Sequence, residues 1–215
     1  MKVKFLGHAS FLLTSQKGTR IITDPYKPGC FDGGIQYDPI TEEADIVTIS
    51  HEHDDHNETN IKGDPVFVRE TTQQEIEDIM IKGLDVFHDT NEGRDRGKNI
   101  MYTMHIDGMN VVHCGDLGHD LDPQDVERLG KVDVLLIPVG GHFTIDSANA
   151  DTIINALKPK VVIPMHFKTE KCGFPIAPIE DFIKGKEVKH VDGEFDITQD
   201  ALPESTTVFV LMPTK

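Results

Sequence analysis

The sequence is poor in cysteine, in basic residues and in long apolar runs, and each shortage excludes a class of protein. Its 215 residues include only Cys30, Cys114 and Cys172, and an odd set without a close Cys-x-x-Cys pair is not a disulfide framework. Because disulfides are rare in reducing compartments, we expect three reduced thiols and a cytoplasmic location. No apolar run approaches the roughly 20 residues of a membrane span, and the amino terminus leads directly into strand-like sequence, so we expect no membrane partner.

Basic residues are outnumbered by acidic ones. The chain has 21 Lys and Arg against 37 Asp and Glu, which gives a formal net charge of −16. Such a surface repels the phosphates of nucleic acids and of anionic lipids, so we expect no nucleic-acid partner. The length is sufficient for a substantial core, and without any visible linker or repeat we expect one domain over residues 1–215. The sequence leaves open whether the chain forms a homo-oligomer.

The densest group of polar residues follows a short apolar run. Residues 44–50 (Ala-Asp-Ile-Val-Thr-Ile-Ser) are largely β-branched and predict a buried strand. Directly after it, His51-Glu52-His53-Asp54-Asp55-His56 places three imidazoles and three acids in six positions. Neutral imidazole and carboxylate are the ligands that divalent metals such as zinc prefer. The spacing allows side chains to project toward two adjacent points, so one loop could serve two metal ions.

The rest of the chain is divided by turn residues into predicted strands and helices. It opens with a hairpin of one strand over 3–14 and another over 20–23. Residues 26–44 predict a long loop beside a pocket, and residues 71–82 fit either a helix or two strands. Further strands are predicted over 65–68, 83–87, 100–106, 109–114, 132–139, 161–165 and 207–212, and helices over 123–129, 147–157 and 179–184. This order predicts an α/β fold in which two mixed sheets pack face to face with helices outside.

Histidine or aspartate follows several of these predicted strands. His88, Asp116, His142 and His166 stand at strand ends, as the His51–His56 cluster does. Functional side chains are commonly carried by loops that a rigid scaffold positions. We therefore expect one composite site.

Taken in order, these positions match the motifs of a known superfamily. The series His51-x-His53-x-Asp55-His56, His88, Gly115-Asp116 and Ile163-Pro164-Met165-His166 resembles the metallo-β-lactamase superfamily of dinuclear metal hydrolases. The resemblance spans nearly the whole chain and implies a four-layer αββα sandwich with metals at one edge. Four further segments resemble the small bacterial and archaeal branch that includes the ascorbate-6-phosphate lactonases: Leu6-Gly7-His8-Ala9-Ser10-Phe11, Asp24-Pro25, His113-Cys114-Gly115-Asp116 and Pro164-Met165-His166-Phe167-Lys168-Thr169.

The resemblance implies a ligand set for two divalent ions. It assigns the first ion to His51, His53 and His88, the second to Asp55, His56 and His166, and a bridging role to Asp116. Zn²⁺ is the expected metal, with Mn²⁺ or iron as alternatives. His113 or His119 could compete with His88, although His113 fits better behind the ligands. Candidates for contacting substrate or supporting the ligands are His8, Asp24, His113, His119, His142 and Lys168, and Asp54 and Asp89 are further candidates for orienting the imidazoles.

The leading hypothesis for function is hydrolysis by a hydroxide that bridges the two metal ions. Asp55 is expected to orient that nucleophile and to handle its proton. The expected partner is a small-molecule substrate with an ester, lactone or phosphodiester bond, and a phosphorylated lactone fits the resemblance. Substrate contacts are expected from loops 26–44, 91–99 and 140–146, and cations that could bind an anionic group are Lys168, Arg94, Arg96 and Lys98. The alternatives are a di-iron redox protein and a non-catalytic metal-dependent binding protein.

Overall fold

Two β-sheets with helices against them form the protein, and the computed structural model describes residues 1–215. The strands are β1 Lys2–Gly7, β2 Ser10–Thr14, β3 Arg20–Thr23, β4 Ile46–Thr48, β5 Val66–Val68, β6 Gln74–Ile76, β7 Ile79–Phe87, β8 Lys98–Ile106, β9 Met109–His113, β10 Val134–Pro138, β11 Val161–Met165, β12 Val188–Val191, β13 Glu194–Asp196 and β14 Thr207–Leu211. The first sheet has six strands in the order β13-β1-β2-β3-β4-β5, and the second has eight in the order β12-β14-β11-β10-β9-β8-β7-β6.

The amino-terminal segment contains two strands, so the single strand predicted over 3–14 is wrong. The chain reverses at His8 and Ala9, and β1 and β2 pair antiparallel with Phe5 opposite Phe11. The reversal lacks the exposed polar residues of a surface turn, because Leu6, Ala9 and Ser10 are all fully buried. His8 has a φ of 56°, in the left-handed region that few residues other than glycine adopt. This turn places the His8 side chain in the interior.

In the second sheet, an antiparallel half joins a parallel half. Strands β6 to β9 pair antiparallel, which resolves residues 71–82 as two strands, and β9, β10, β11 and β14 pair parallel. Because β7, β9, β10 and β11 all run in the same direction, their carboxyl ends lie along one edge. Side chains that follow these strands therefore meet at that edge.

Three helices follow their predicted positions. They are α2 Pro123–Leu129, α3 Ser147–Leu157 and α4 Ile179–Ile183. The side chains of Asp122 and Asp146 cap α2 and α3 by accepting hydrogen bonds from backbone amides of the first turn. Helix α3 buries Ala150, Ile153 and Leu157, one apolar face against the sheet. The predicted α/β sandwich of two mixed sheets with helices outside is confirmed. None of the helices has the length and apolar character needed to cross a lipid bilayer.

The long loop 26–44 is packed rather than open. Its residues Tyr26, Ile35 and Tyr37 are buried in a second apolar cluster of 12 residues, separate from the main core of 44. The Tyr26 hydroxyl donates to the Asp38 carbonyl at 2.9 Å, and a short helical turn, α1 Cys30–Gly33, lies at the loop's tip. The loop is thereby fixed beside the edge where the carboxyl ends meet.

Candidate metal centre

The His51–His56 cluster follows the carboxyl end of strand β4 in the first sheet. All three residues of β4 are buried, and the strand pairs parallel with β3 and β5. In the cluster, His51, Asp55 and His56 are buried, whereas Glu52 and Asp54 face solvent. The two exposed acids pair with the Arg69 and Lys27 side chains respectively. Thus only part of the cluster turns inward.

Three imidazoles form the first group of inward-facing ligands. His51, His53 and His88 each offer one nitrogen, and these nitrogens all lie within 4.8 Å of one another. The centroids of the His51 and His53 rings are 4.6 Å apart, and those of His51 and His88 are 4.9 Å apart. His88 arrives from the end of β7. Three converging neutral imidazoles are a common protein contribution to a zinc site.

The second group contains four residues from three segments. Ligand atoms of His8, Asp55, His56 and His166 also lie within 4.8 Å of one another. His8 Nε2 donates to Asp55 Oδ2 at 3.0 Å, and the His166 amide donates to the His8 carbonyl at 2.8 Å. His8 was predicted only as a pocket or supporting residue. The sequence gives little indication that His8 lies beside Asp55, because its place depends on a buried turn with a positive φ.

Asp116 lies between the two groups. Its Oδ2 is 3.2 Å from the Nε2 of both His56 and His88, 3.4 Å from that of His166 and 3.9 Å from that of His51. Burial by itself raises the pKa of Asp116, but His166 and His56 hold it well below its usual range. The carboxylate therefore stays charged between the groups, at the position expected of a bridging ligand.

The unpaired atoms of this centre fit a metal ion. His51 Nε2, His56 Nε2 and Asp116 Oδ1 are buried and have no hydrogen-bond partner. Most buried polar atoms are paired, so a cluster of buried nitrogens and oxygens without hydrogen-bond partners fits an additional cationic partner. Burial opposes protonation of His56, but Asp116 and Asp55 raise its pKa well above the usual range, so a positive charge is favoured at this position. Burial also lowers the pKa of His51 to about 3 and that of His8 to about 4. Both imidazoles are therefore neutral near pH 7, which is the form that binds metal.

Asp24 supports this centre from behind. Its carboxylate accepts the Ser50 amide at 2.8 Å, the Ser50 hydroxyl at 2.5 Å and His56 Nδ1 at 3.0 Å. Ser50 Oγ in turn lies 2.9 Å from His51 Nδ1, so Asp24 orients His56 directly and His51 through the hydroxyl. Burial opposes ionisation of Asp24, but His113 and His56 lower its pKa overall. His113 stands beside it, with Nε2 bonded to the Ala9 carbonyl at 2.8 Å.

Above the ligands is a cleft of about 260 Å³. Its floor is formed by ligands of both groups, and its walls are three phenylalanines and one arginine from separate loops. The lining residues are His53, Asp55, His88, Asp116, His166, Phe31, Phe143, Phe174 and Arg96. The loops that carry Phe31, Phe143 and Arg96 were expected to contact substrate, but the phenylalanines themselves were not among the predicted residues. Their only signal was aromatic residues within Gly- and Pro-containing segments.

Comparison with known proteins agrees with this geometry. The profile of the beta-lactamase superfamily domain matches residues 2–166. The chain belongs to the metallo-β-lactamase superfamily. Within it, the chain belongs with the metal-dependent hydrolases: it is 30% identical to one from Korarchaeum cryptofilum, over 86% of this chain and 87% of the relative. Another, from Thermococcus onnurineus, is 29% identical over 79% of this chain and 85% of the relative.

A solved structure shows the same arrangement of the fold. It is a Thermotoga maritima protein of the metallo-β-lactamase superfamily, with a TM-score of 0.80 and 33% identity over 98% of both chains. The predicted superfamily and its αββα fold are therefore confirmed. The resemblance to the ascorbate-6-phosphate lactonases stays a prediction.

Several residues predicted for the site of this superfamily member lie elsewhere. His119 accepts the Phe87 amide at 3.1 Å and is outside both ligand groups, so of the rivals only His88 reaches the centre. His142 is exposed against the Phe143 ring, and the Lys168 ammonium donates to the Phe174 carbonyl at 2.7 Å. Asp54 and Asp89 do not orient the imidazoles. Asp54 faces solvent, and the Asp89 carboxylate accepts four backbone amides of its own loop, those of Asn91, Gly93, Asp95 and Arg96.

Proposed function

We propose that the protein hydrolyses a small ester, lactone or phosphodiester at a dinuclear centre formed by the two ligand groups. One observation carries the proposal: Asp116 Oδ2 lies 3.2–3.4 Å from histidine nitrogens of both groups, His88 in the first and His56 and His166 in the second. A carboxylate shared in this way allows one residue to neutralise and space two cations. The proposed ligands are His51, His53 and His88 for one ion and Asp55, His56 and His166 for the other.

The donor set favours zinc, with Mn²⁺ or iron as alternatives. Five imidazoles and two carboxylates match the nitrogen and oxygen ligands of divalent zinc, and no thiol is among them. Two such cations supply two functions when bound: they lower the pKa of a shared water and they polarise the oxygen of the scissile group.

Asp55 is the proposed acid–base residue of the chain. Its side chain lines the cleft and is buried, and its pKa is held well below its usual range: burial opposes ionisation, but His56 and the bond from His8 outweigh it. His8 is neutral near pH 7 and donates through Nε2, so it fixes the orientation of the Asp55 carboxylate. A carboxylate with a lowered pKa is a weak base, so the bond from His8 supports Asp55 chiefly as the residue that orients an attacking water. Its second proposed role, accepting the proton of that water, rests on its place in the cleft and not on its pKa.

The size of the cleft favours a small-molecule substrate. About 260 Å³ holds a metabolite or a short acyl or phosphoryl ester, whereas a polymer would have to enter by a single residue. A phosphorylated substrate or a lactone is therefore proposed as the substrate class. The acidic surface argues against a nucleic acid.

The test compares two neighbouring aspartates in metal-analysed protein. Asp55→Asn should lower kcat on ester, lactone or phosphodiester panels by about 100-fold or more, since a positioned acid–base residue contributes about 10²–10⁴-fold. Asp54→Asn, one residue away but exposed, should stay within about threefold because Asp54 contacts only Lys27. Elemental analysis should find about two ions per chain. Turnover that survives complete chelation would sink the proposal, and bound iron with redox activity but no hydrolysis would favour the di-iron alternative.

A further inference from the structure

The wall of the cleft opposite the ligands is aromatic. Phe31, Phe143 and Phe174 come from three separate loops and meet edge to face, with ring centroids 5.7 Å apart for Phe31 and Phe174 and 5.5 Å apart for Phe143 and Phe174. Phe174 also contacts the His8 ring, at 5.7 Å. The three rings therefore form one continuous apolar surface that extends to the ligands.

Phe143 and Phe174 are half-buried against the second apolar cluster, whereas Phe31 completes the wall from an exposed position. Phe31 is 52% exposed and is one of only four large apolar side chains with this degree of exposure. Its backbone φ is 52°, and that of Asp32 is 53°, a left-handed conformation that costs on the order of 1–2 kcal/mol per residue. The strained backbone at Phe31 holds an apolar ring in solvent, so the cost of the strain is not offset by packing of that ring in the core. Such features concentrate where a ligand is bound.

The position of the Phe174 ring is also fixed by its neighbours. A Cβ added at Gly34 would lie 2.5 Å from the Phe174 ring, so only glycine leaves room for the ring at this position. The segment is fixed further by the Gly173 amide, which donates to the Gly34 carbonyl at 2.7 Å. Loop 26–44 and the segment after β11 thus hold Phe31 and Phe174 as a pair.

Arg96 provides the only Lys or Arg side chain that lines the cleft. Its guanidinium carbon lies 5.7 Å from the centroid of the Phe143 ring and forms no ion pair with any carboxylate. Its backbone amide donates to the Asp89 carboxylate at 2.8 Å, and this carboxylate closes the loop that begins directly after His88. In a chain of net charge −16, an arginine without an acidic partner beside the ligands is available to an anion.

We propose that the cleft selects substrates that combine a flat apolar group with an anionic group, such as an aromatic lactone or ester bearing a carboxylate or a phosphate. The flat group packs on Phe31, Phe143 and Phe174 while the anion pairs with Arg96. The reaction in this proposal rests on the proposed hydrolase function, whereas the selectivity rests on the cleft alone. The two parts can therefore be tested separately.

The first experiment uses three six-membered lactones of increasing complexity: δ-valerolactone, its benzo-fused form dihydrocoumarin, and 6-carboxydihydrocoumarin. For the wild type, kcat/KM should rise at each step, by about tenfold for the carboxylate. Benzo-fusion also makes the leaving group a phenolate, so the contribution of ring packing is the part of the ring preference, about fivefold, that is lost when a phenylalanine of the wall is replaced. Arg96→Gln should reduce the carboxylate preference to about one. The control Arg94→Gln should keep it, because Arg94 pairs with Glu92 on the same loop and does not line the cleft.

The aromatic wall is tested with the same lactones. Phe31→Ala and Phe174→Ala should each lower the preference for dihydrocoumarin over δ-valerolactone, whereas Met212→Ala, which removes an equally exposed apolar side chain outside the cleft, should not. If the carboxylate preference survives in Arg96→Gln, or if the phenylalanine variants slow all three lactones equally, the selectivity is wrong while hydrolysis still stands.

The second experiment needs no turnover. Calorimetric titration of the metal-loaded protein with 2-naphthalenesulfonate, compared with methanesulfonate, measures binding of a ring with an anion against an anion alone. The naphthalene compound should bind more tightly, and Arg96→Gln should weaken it about tenfold while Arg94→Gln leaves it within about twofold. Equal binding to wild type and Arg96→Gln overturns the inference. Arg96-dependent binding without opening of any lactone supports the selectivity and counts against the proposed reaction.

Discussion

Replacing Asp24 by asparagine is the sharpest test of how the fold supports the metal centre. The Asp24 carboxylate is fully buried and accepts three hydrogen bonds, two from Ser50 and one from His56 Nδ1. Asparagine retains one oxygen for the Ser50 amide but presents an NH₂ group where the second oxygen accepted the Ser50 hydroxyl and His56. Two charge-assisted bonds are lost, and the Ser50 hydroxyl and the His56 ring are free to turn.

The magnitude follows from these contacts. A hydrogen bond to a charged group contributes about 1.5–3 kcal/mol, and relief from burying a carboxylate offsets part of the loss. We expect Asp24→Asn to lower the free energy of unfolding of the metal-free protein by about 2–4 kcal/mol out of a total of about 5–15 kcal/mol. Loss of a residue that orients metal ligands typically lowers metal affinity about 10–100-fold, and the same loss is expected here.

Two assays separate these effects. Urea denaturation of the metal-free protein measures stability, and competition with a chromophoric chelator measures zinc affinity. The control is Asp133→Asn, another buried aspartate, which accepts the Asn110 amide at 2.9 Å and pairs with Lys131 just before β10, away from both ligand groups. It should lose stability and keep its zinc affinity. An Asp24→Asn protein that binds zinc within about twofold of wild type would refute the reasoning.

Three further predictions follow from single features of the structure. Removing metal with a chelator should lower the melting temperature, and adding back free zinc at 100 times its Kd should restore about 2.7 kcal/mol, as measured by calorimetry. Gly34→Ala should push the Phe174 ring aside and reduce turnover of an aromatic lactone more than of δ-valerolactone. Gly185→Ala is the control for general destabilisation, because no atom lies within 4 Å of the added Cβ but the φ of 77° strains an alanine, and it should affect both lactones equally. Glu42→Gln should destabilise the protein at pH 7 by about 1 kcal/mol after allowance for solvent screening, but not at pH 2. Burial opposes the ionisation of Glu42, yet bonds from Lys215 and Lys4 lower its pKa to about 2. The stabilisation is therefore present above the unfolded value of about 4.5 and lost as pH falls through the folded one, and urea titration at both pH values tests it.

The parts of the centre that follow buried strands could be predicted from the sequence. An apolar strand such as β4, β7 or β11 is recognisable by its residues, and a histidine directly after it must lie near the strand's carboxyl end. His88 and His166 were therefore predictable as members of one site before any contact was known. Only residues whose position is fixed by the strand itself can be predicted in this way.

Residues whose position depends on tertiary packing could not be predicted in the same way. The turn at His8 has apolar residues on both sides, and only the pairing of β1 with β2 shows that the chain reverses there. Strands β12 and β13 are short and largely exposed, so their residues carry no alternating apolar pattern. Likewise, Phe31, Phe143 and Phe174 come from segments that are far apart in sequence, and nothing local indicates that their rings meet.

The net charge of the chain and the charge of the cleft have opposite effects on an anionic substrate. An acidic surface raises the local concentration of divalent cations and favours filling of the metal centre, but it also repels an anionic substrate. Both effects can operate in one protein only if positive charge is concentrated at the site itself. In the proposed dinuclear centre, two divalent ions held by the carboxylates of Asp55 and Asp116 would leave a net positive charge, and Arg96, which lines the cleft, would add one more. Association with an anionic substrate should therefore show little dependence on the acidic surface and a clear dependence on Arg96, because screening over a Debye length of about 10 Å at 0.1 M salt removes distant charges first.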